Sequence, residues 1–210
     1  VGTDSVVVFD LGGVLAIICH NWQDAARTAG VQTQLPETPP IPLAGLASFD
    51  AHQAGRVDDV AYLQALASDL GVSVDEARRV HNGILVKPYP GTLELVEALL
   101  AQGTRLGCLS NTNEAHWQIL TSPDHYPAIA KTTLQMASHR VGLEKPHAAI
   151  YRHYEQVFGL QSSQIVYFDD NVGNVEGAIA VGWRAHRINP NEDTAAQLRT
   201  LLAQEGVLGR

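Results

Sequence analysis

Asp10 closes a run of apolar residues, Val6-Val7-Val8-Phe9, and Gly12 and Gly13 follow it at once. A carboxylate held there is a candidate nucleophile: it can attack phosphorus and form an aspartyl-phosphate, which water then hydrolyses. Ser110 ends a second apolar run. Its hydroxyl, with the backbone N–H groups of Asn111 and Thr112, could hold phosphate oxygens; alone, the same serine reads as a helix N-cap. Lys145 precedes Pro146 at an expected helix start, where the macrodipole favours an anion over a cation unless an anion is already bound. Asp169 and Asp170 follow a third apolar run. Adjacent acids at a strand end repel each other without a cation, and hard oxygen ligands suit Mg²⁺; the alternative is one acid capping the next helix and the other facing solvent. Asp10, Asp169, Asp170 and a phosphate dianion together carry five negative charges, of which Lys145 and one Mg²⁺ offset three. Without the metal, like-charge repulsion would oppose binding of the substrate.

These residues need a scaffold that brings distant strand ends together. Strand-like runs lie at about 5–10, 105–109, 132–136, 164–169 and 183–188. Helical patterns separate them. Residues 91–102 carry a broad apolar face stopped by Gly103, and Pro146 opens a helix over 147–158. In the helix over 172–182, Gly173 and Gly177 permit close packing on a sheet. Alternation of strand and helix predicts an α/β fold: a three-layer, Rossmann-like core with a parallel sheet whose carboxyl edge carries the site. Residues 17–86 break the alternation. They contain no convincing strand, a Pro-rich kink (Pro36, Pro39, Pro40, Pro42), and helical segments near 21–30, 43–53, 57–70 and 73–83. Asp58 or Asp59 caps the third segment, and Ser73 to Glu76 forms a capping-box pattern. The stretch reads as an inserted α-helical cap (17–86) over a core of residues 1–16 and 87–210, rather than as an outer layer of one domain.

Composition narrows the class. The chain has 210 residues, 45% hydrophobic, with formal net charge -8 and no basic stripe, so nucleic acid is not an expected partner. No run approaches the roughly 20 apolar residues of a membrane helix. The chain enters a strand almost directly, so no secretory leader is expected, and Cys19 and Cys108 read as buried free thiols of a cytoplasmic protein. Nine histidines occur without zinc-helix spacing.

Phe9-Asp10-Leu11-Gly12-Gly13-Val14, Leu109-Ser110-Asn111-Thr112-Asn113, Leu143-Glu144-Lys145-Pro146 and Phe168-Asp169-Asp170-Asn171-Val172-Gly173-Asn174 together resemble the four motifs of the haloacid dehalogenase-like (HAD) superfamily. Their wording, and the stretch 49–57, most resemble the bacterial α-D-glucose-1-phosphate phosphatase group. The resemblance implies Mg²⁺-dependent hydrolysis of a small-molecule phosphate ester. It implies Asp10 as nucleophile and metal ligand, Gly12 as a backbone-carbonyl ligand, Asp170 as a direct ligand, and Asp169 nearby. It also implies Ser110, Asn111 and Lys145 as phosphate-binding groups, Ser110 and Lys145 serving catalysis. One departure matters: many HAD phosphatases place a general-acid Asp where this chain has Gly12. A 2-haloacid dehalogenase needs no such acid and is the alternative enzyme class, opposed by the aspartate pair; a catalytically weak binding or regulatory protein is the non-enzymatic alternative. His20, Asn21, Trp22 and His52 are candidates to face the pocket, with His20 or His52 as a substitute proton donor. Trp117 and Trp183 are expected in the core or an interface.

Overall fold

The computed structural model describes residues 5–53 and 55–208; Ala54, within the 49–57 stretch, lies outside the described residues. Among the described residues seven strands occur: β1 (Val6–Phe9), β2 (Ala16–Ile18), β3 (Leu85–Pro88), β4 (Arg105–Ser110), β5 (Leu134–Ala137), β6 (Ile165–Asp169) and β7 (Arg184–Arg187). The α-helices are α1 (Trp22–Ala29), α2 (Ala47–Gln53), α3 (Asp59–Leu70), α4 (Val74–Asn82), α5 (Thr92–Ala101), α6 (Glu114–Leu120), α7 (Pro127–Ala130), α8 (Ser138–Val141), α9 (Ala148–Phe158), α10 (Val172–Ala180) and α11 (Thr194–Gln204).

The five expected strands form one parallel sheet in the order β5-β4-β1-β6-β7. Strand β1 is buried on both faces, which is why it reads as a continuous apolar run. Its alternate residues serve different layers. Val7 and Phe9 pack with Leu95, Val96 and Leu99 of α5 and Leu198 and Leu202 of α11. Val6 and Val8 pack with Ile150, Tyr151 and Tyr154 of α9 and Ala178 of α10. This is the expected three-layer α/β arrangement. Strand order reverses at β1, whose two neighbours are reached by chain running to opposite sides, so the crevice at the end of β1 is the topological switch point where such sheets bind ligands.

The 17–86 segment has its own apolar cluster, formed by Trp22, Phe49, Tyr62, Leu66, Leu70 and Val80 among others. Its helices begin and end close to expectation. Asp58, not Asp59, caps α3, and Ser73 and Glu76 form the complete capping box on α4. One expectation is corrected. The segment is not free of strand at its margins: β2 and β3 pair antiparallel, with Ala16 opposite Pro88 and Ile17 opposite Lys87. The ribbon joins the two chain crossings between the insertion and the sheet. Strands of three and four residues are too short to print a period on the sequence.

Pro146 stands where α9 begins, as expected: it precedes the N-cap His147, and its bond to Lys145 is cis. One packing expectation is corrected. A Cβ on Gly177 would lie 2.5 Å from the Pro146 carbonyl oxygen, so this glycine lets α10 close on the Lys145-Pro146 turn rather than on the sheet. Cys19 and Cys108 are both buried and free.

Candidate active site

Asp10, Tyr167 and Asp169 share one face of the sheet because the side-chain period of a strand is two. Phe9 pairs with Phe168, so Asp10 and Asp169 stand level at adjacent strand ends, and the Asp10 N–H donates to the Phe168 carbonyl at 2.8 Å. Lys145 enters on the same face. Its Nζ lies 2.9 Å from Asp10 Oδ1 and 2.7 Å from Asp169 Oδ2, and donates to the Tyr167 hydroxyl at 2.9 Å. Asp170, the next residue, completes a group in which one oxygen from each of Asp10, Asp169 and Asp170 lies within 4.8 Å of the others. Gly13 permits this closeness. It has φ +73°, and a Cβ there would fall 2.5 Å from Asp170 Cγ.

The three acids are not equivalent. Asp169 is wholly buried, and its oxygens accept from Lys145, the Tyr167 hydroxyl, the Asn171 N–H (2.8 Å) and both ways from Asn174 Nδ2 (3.1 and 3.0 Å). Little lone-pair capacity remains on it. Asp10 and Asp170 are the acids with oxygens to give. Neither Asp169 nor Asp170 caps α10; Asn171 does, accepting from Gly173 and Asn174. The alternative reading of the pair as a cap and a solvated acid therefore fails.

One ammonium faces three carboxylates. Burial would lower the Lys145 pKa, but the charges of Asp10 and Asp169 and the hydrogen bonds to them hold it above its ordinary value. Asp10 is pushed up to about 7: burial raises it, Lys145 opposes, and Asp169 and Asp170 raise it further. Asp170 is also raised, by burial and then by Asp169. Burial and like charge thus favour a proton on Asp10, and a divalent cation at the cluster would compete with it. Oxygen donors, close convergence and excess negative charge fit Mg²⁺.

The Ser110-Asn111-Thr112-Asn113 turn distributes its polar groups among separate partners. Ser110 lies buried at the end of β4, and does not cap α6; Asn113 does. Asn111 clamps the backbone of Lys145 through both ends of its amide: Oδ1 accepts from the Lys145 N–H and Nδ2 donates to the Lys145 carbonyl, each at 2.9 Å. The Thr112 N–H, expected to face phosphate, instead donates to Ser138 Oγ at 3.0 Å. Ser110, Asn111 and Gly12 line a cleft of ≈ 100 Å³ that Phe49 and Gln53 of α2 close from the insertion. Phe49, Gln53 and Asn111 also line an adjoining cavity of ≈ 360 Å³ with Asp50, Arg56 and Glu144.

The expected pocket residues of the insertion separate. Asn21 caps α1, and Trp22 is buried with its indole N–H on the Leu43 carbonyl. His52 is buried, bonded to Asp59 at 2.7 Å and stacked on Tyr62 at 4.0 Å, in a cavity between α3, α4 and α6. It does not join the aspartates. His20 is exposed. Trp117 and Trp183 are core residues, as expected. Tyr167 and Asn174 were missed as site residues. Tyr167 had a readable signal, since it stands two positions before Asp169 and so on its face.

Comparison with known proteins places this geometry. A phosphatase of Mycobacterium tuberculosis (strain CDC 1551 / Oshkosh) is 26% identical, covering 90% of this chain and 89% of its own. A solved HAD family enzyme from Bacteroides thetaiotaomicron, in complex with magnesium and inorganic phosphate, superposes with TM-score 0.75 at 20% identity over 93% of this chain and 99% of its own. A solved dehalogenase superposes with TM-score 0.66 at 18% identity over 97% and 99%. At these identities the structures speak for the fold. No helix among the described residues is long and apolar enough to cross a membrane. Residues 5–182 match the haloacid dehalogenase-like hydrolase family, and with three motifs at strand ends and the fourth in the turn before α9, the chain belongs to that family.

Proposed function

We propose that this protein is a Mg²⁺-dependent phosphatase that hydrolyses a small phosphate monoester through an aspartyl-phosphate on Asp10. The observation that carries the reading is the charge imbalance: three carboxylates converge, and among the described residues Lys145 is the cation ion-paired to them, at Asp10 and Asp169. Asp10, Asp170 and the Gly12 carbonyl would hold the metal, with Asp169 behind them orienting Lys145. Bound there, Mg²⁺ supplies positive charge against the phosphate and the attacking carboxylate.

A carboxylate oxygen of Asp10 attacks phosphorus and the ester oxygen leaves with the bonding electrons. Ser110 Oγ and the Asn111 N–H hold the non-bridging oxygens, and Lys145 shares its charge between Asp10 and the transferring group. Water then attacks the aspartyl-phosphate and restores Asp10. The 17–86 segment acts as the cap, and the cavity bearing Asp50, Gln53, Arg56 and Glu144 receives the leaving group. Those side chains offer hydrogen-bond donors and acceptors with little apolar surface, which suits a polyhydroxylated group such as a sugar.

Gly12 selects within that class. With no carboxylic acid there, the leaving oxygen departs with little protonation. An anomeric hydroxyl is a better leaving group than an ordinary alcohol, so sugar 1-phosphates should outrun sugar 6-phosphates. The test is kcat across phosphate esters of graded leaving-group acidity, with Mg²⁺ and with EDTA. General acid catalysis contributes about 10²–10⁴-fold, so a steep series is expected, flattened by Gly12→Asp. A Cβ at Gly12 meets the flexible tip of Ile18 at 2.8 Å, which can swing aside. A flat wild-type series, unchanged by His20→Ala, would refute the missing-acid reading. Gly12 also motivates the dehalogenase alternative, which predicts chloride release from a 2-chloro acid without metal.

A further inference from the structure

The insertion and the Ser110–Asn113 turn are joined by a buried chain of hydrogen bonds. The Tyr62 hydroxyl of α3 donates to His81 Nδ1 of α4 at 2.8 Å. Asn113 Oδ1, 3.2 Å from His81 Nε2, can only accept, so Nε2 carries the proton and Nδ1 takes the Tyr62 hydroxyl proton. Asn113 Nδ2 donates to His116 Nδ1 at 3.3 Å, and His116 Nε2–H returns to the His81 carbonyl at 2.9 Å. The two imidazoles stack at 4.0 Å with 6° between their planes. Both are buried, and burial lowers both pKa values, which keeps the rings neutral and the pattern of donors fixed.

One residue earlier along the turn, Ser138 Oγ accepts from the Thr112 N–H at 3.0 Å, and its single proton has two acceptors at 3.2 Å, the Thr112 carbonyl and the Gln53 carbonyl of the insertion. Asn113 is thus the residue of the turn whose side chain is bonded directly to the 17–86 segment.

We propose that His81, on the insertion, is a positioning residue for phosphate binding: its Nε2–H holds Asn113 and so sets the backbone that presents Ser110 and Asn111 to the transferring group. The proposal rests on the reading of this turn as the phosphate site. His81 lies 29 residues before Ser110 in sequence and touches no phosphate in this scheme; it acts through Asn113 alone.

Two variants separate this role from mere support of the fold. His81→Phe keeps a ring to stack on His116 and removes the donor. His81→Gln places an amide N–H near the former Nε2. Steady-state kinetics on an aryl phosphate with saturating Mg²⁺ are measured together with the Ki of inorganic phosphate and the Tm of each variant. Misplaced reacting groups cost on the order of 100-fold, so His81→Phe should lower kcat/KM about 10- to 100-fold and raise the phosphate Ki, with His81→Gln restoring both to within about threefold of the parent. A folded His81→Phe with parental kcat/KM and Ki overturns the proposal, and so does equal impairment of both variants. If the parent neither hydrolyses the ester nor binds phosphate, the phosphatase reading itself has failed, and that result is distinct.

Discussion

The aspartate cluster and the histidine cluster are both buried and both polar, yet they are completed in opposite ways. In the first, Asp10, Asp169 and Asp170 converge with Lys145 ion-paired to two of them, and charge is left over. In the second, Tyr62, His81, Asn113 and His116 are neutral and joined to one another by hydrogen bonds. Buried polar groups that are hydrogen-bonded to one another fix a conformation; buried charge in excess calls for a ligand. The first is therefore where chemistry is expected and the second where geometry is held. Titration should distinguish them, because Asp10 is raised and His116 lowered.

The strongest break is Asp10→Asn. It preserves shape but removes the proposed nucleophile and metal ligand, and turnover should fall by about 10⁴-fold or more, as for other nucleophile deletions. Parental turnover by pure variant would end the covalent mechanism.

Next is Lys145→Ala. Removing one partner of a buried ion pair leaves the other uncompensated, at about 3–5 kcal/mol. Chemical denaturation without metal should show that loss, and Mg²⁺ should recover part of it. Loss of the same size with and without Mg²⁺ would mean that the ammonium and the metal do not answer the same charge.

The histidine cluster should fail in acid. His116 is lowered to about 4 by burial, against an ordinary 6.5. Between those values the unfolded chain binds more protons than the native one. Stability is therefore lost as pH falls through that window, by on the order of 3 kcal/mol. His116→Gln keeps a donor toward the His81 carbonyl and cannot titrate, so its acid limb should be flatter. An unchanged acid limb, measured by urea midpoints between pH 4 and 7, would show that the pair does not govern it.

The aspartate cluster gives the opposite slope. Without metal, folded Asp10 keeps its proton to about 7 while an ordinary aspartate ionises near 3.8. The native state binds more protons in that range, so this contribution to stability falls as pH rises through it. Mg²⁺ competes with that proton, and its apparent Kd should be about tenfold weaker at pH 6 than at pH 8. A pH-independent Kd from calorimetry would remove Asp10 from the ligand set.

Much of this molecule was legible before it was folded. Continuous apolar runs marked β1, β4 and β6, and a polar residue at the end of each had to reach one edge of the sheet. Caps such as Asp58 and Ser73 act within a single helical turn, so short-range pattern located them. The order of the four motifs and the type of each acid also belong to the chain itself, and with them the excess negative charge that calls for a cation.

Tertiary structure alone decided which polar groups are already committed. Nothing local to Asn111 says that its amide clamps Lys145, 34 residues away, or that Thr112 gives its N–H to Ser138. Nothing near His52 says that it stays with Asp59 and Tyr62 rather than reaching the aspartates. His81 and His116 lie 35 residues apart and meet ring to ring only because α4 of the insertion comes to rest against α6. Periodicity reports the face on which a side chain lies, because backbone geometry repeats every few residues. The atom waiting opposite that face is delivered by a distant part of the chain, and no local pattern encodes it.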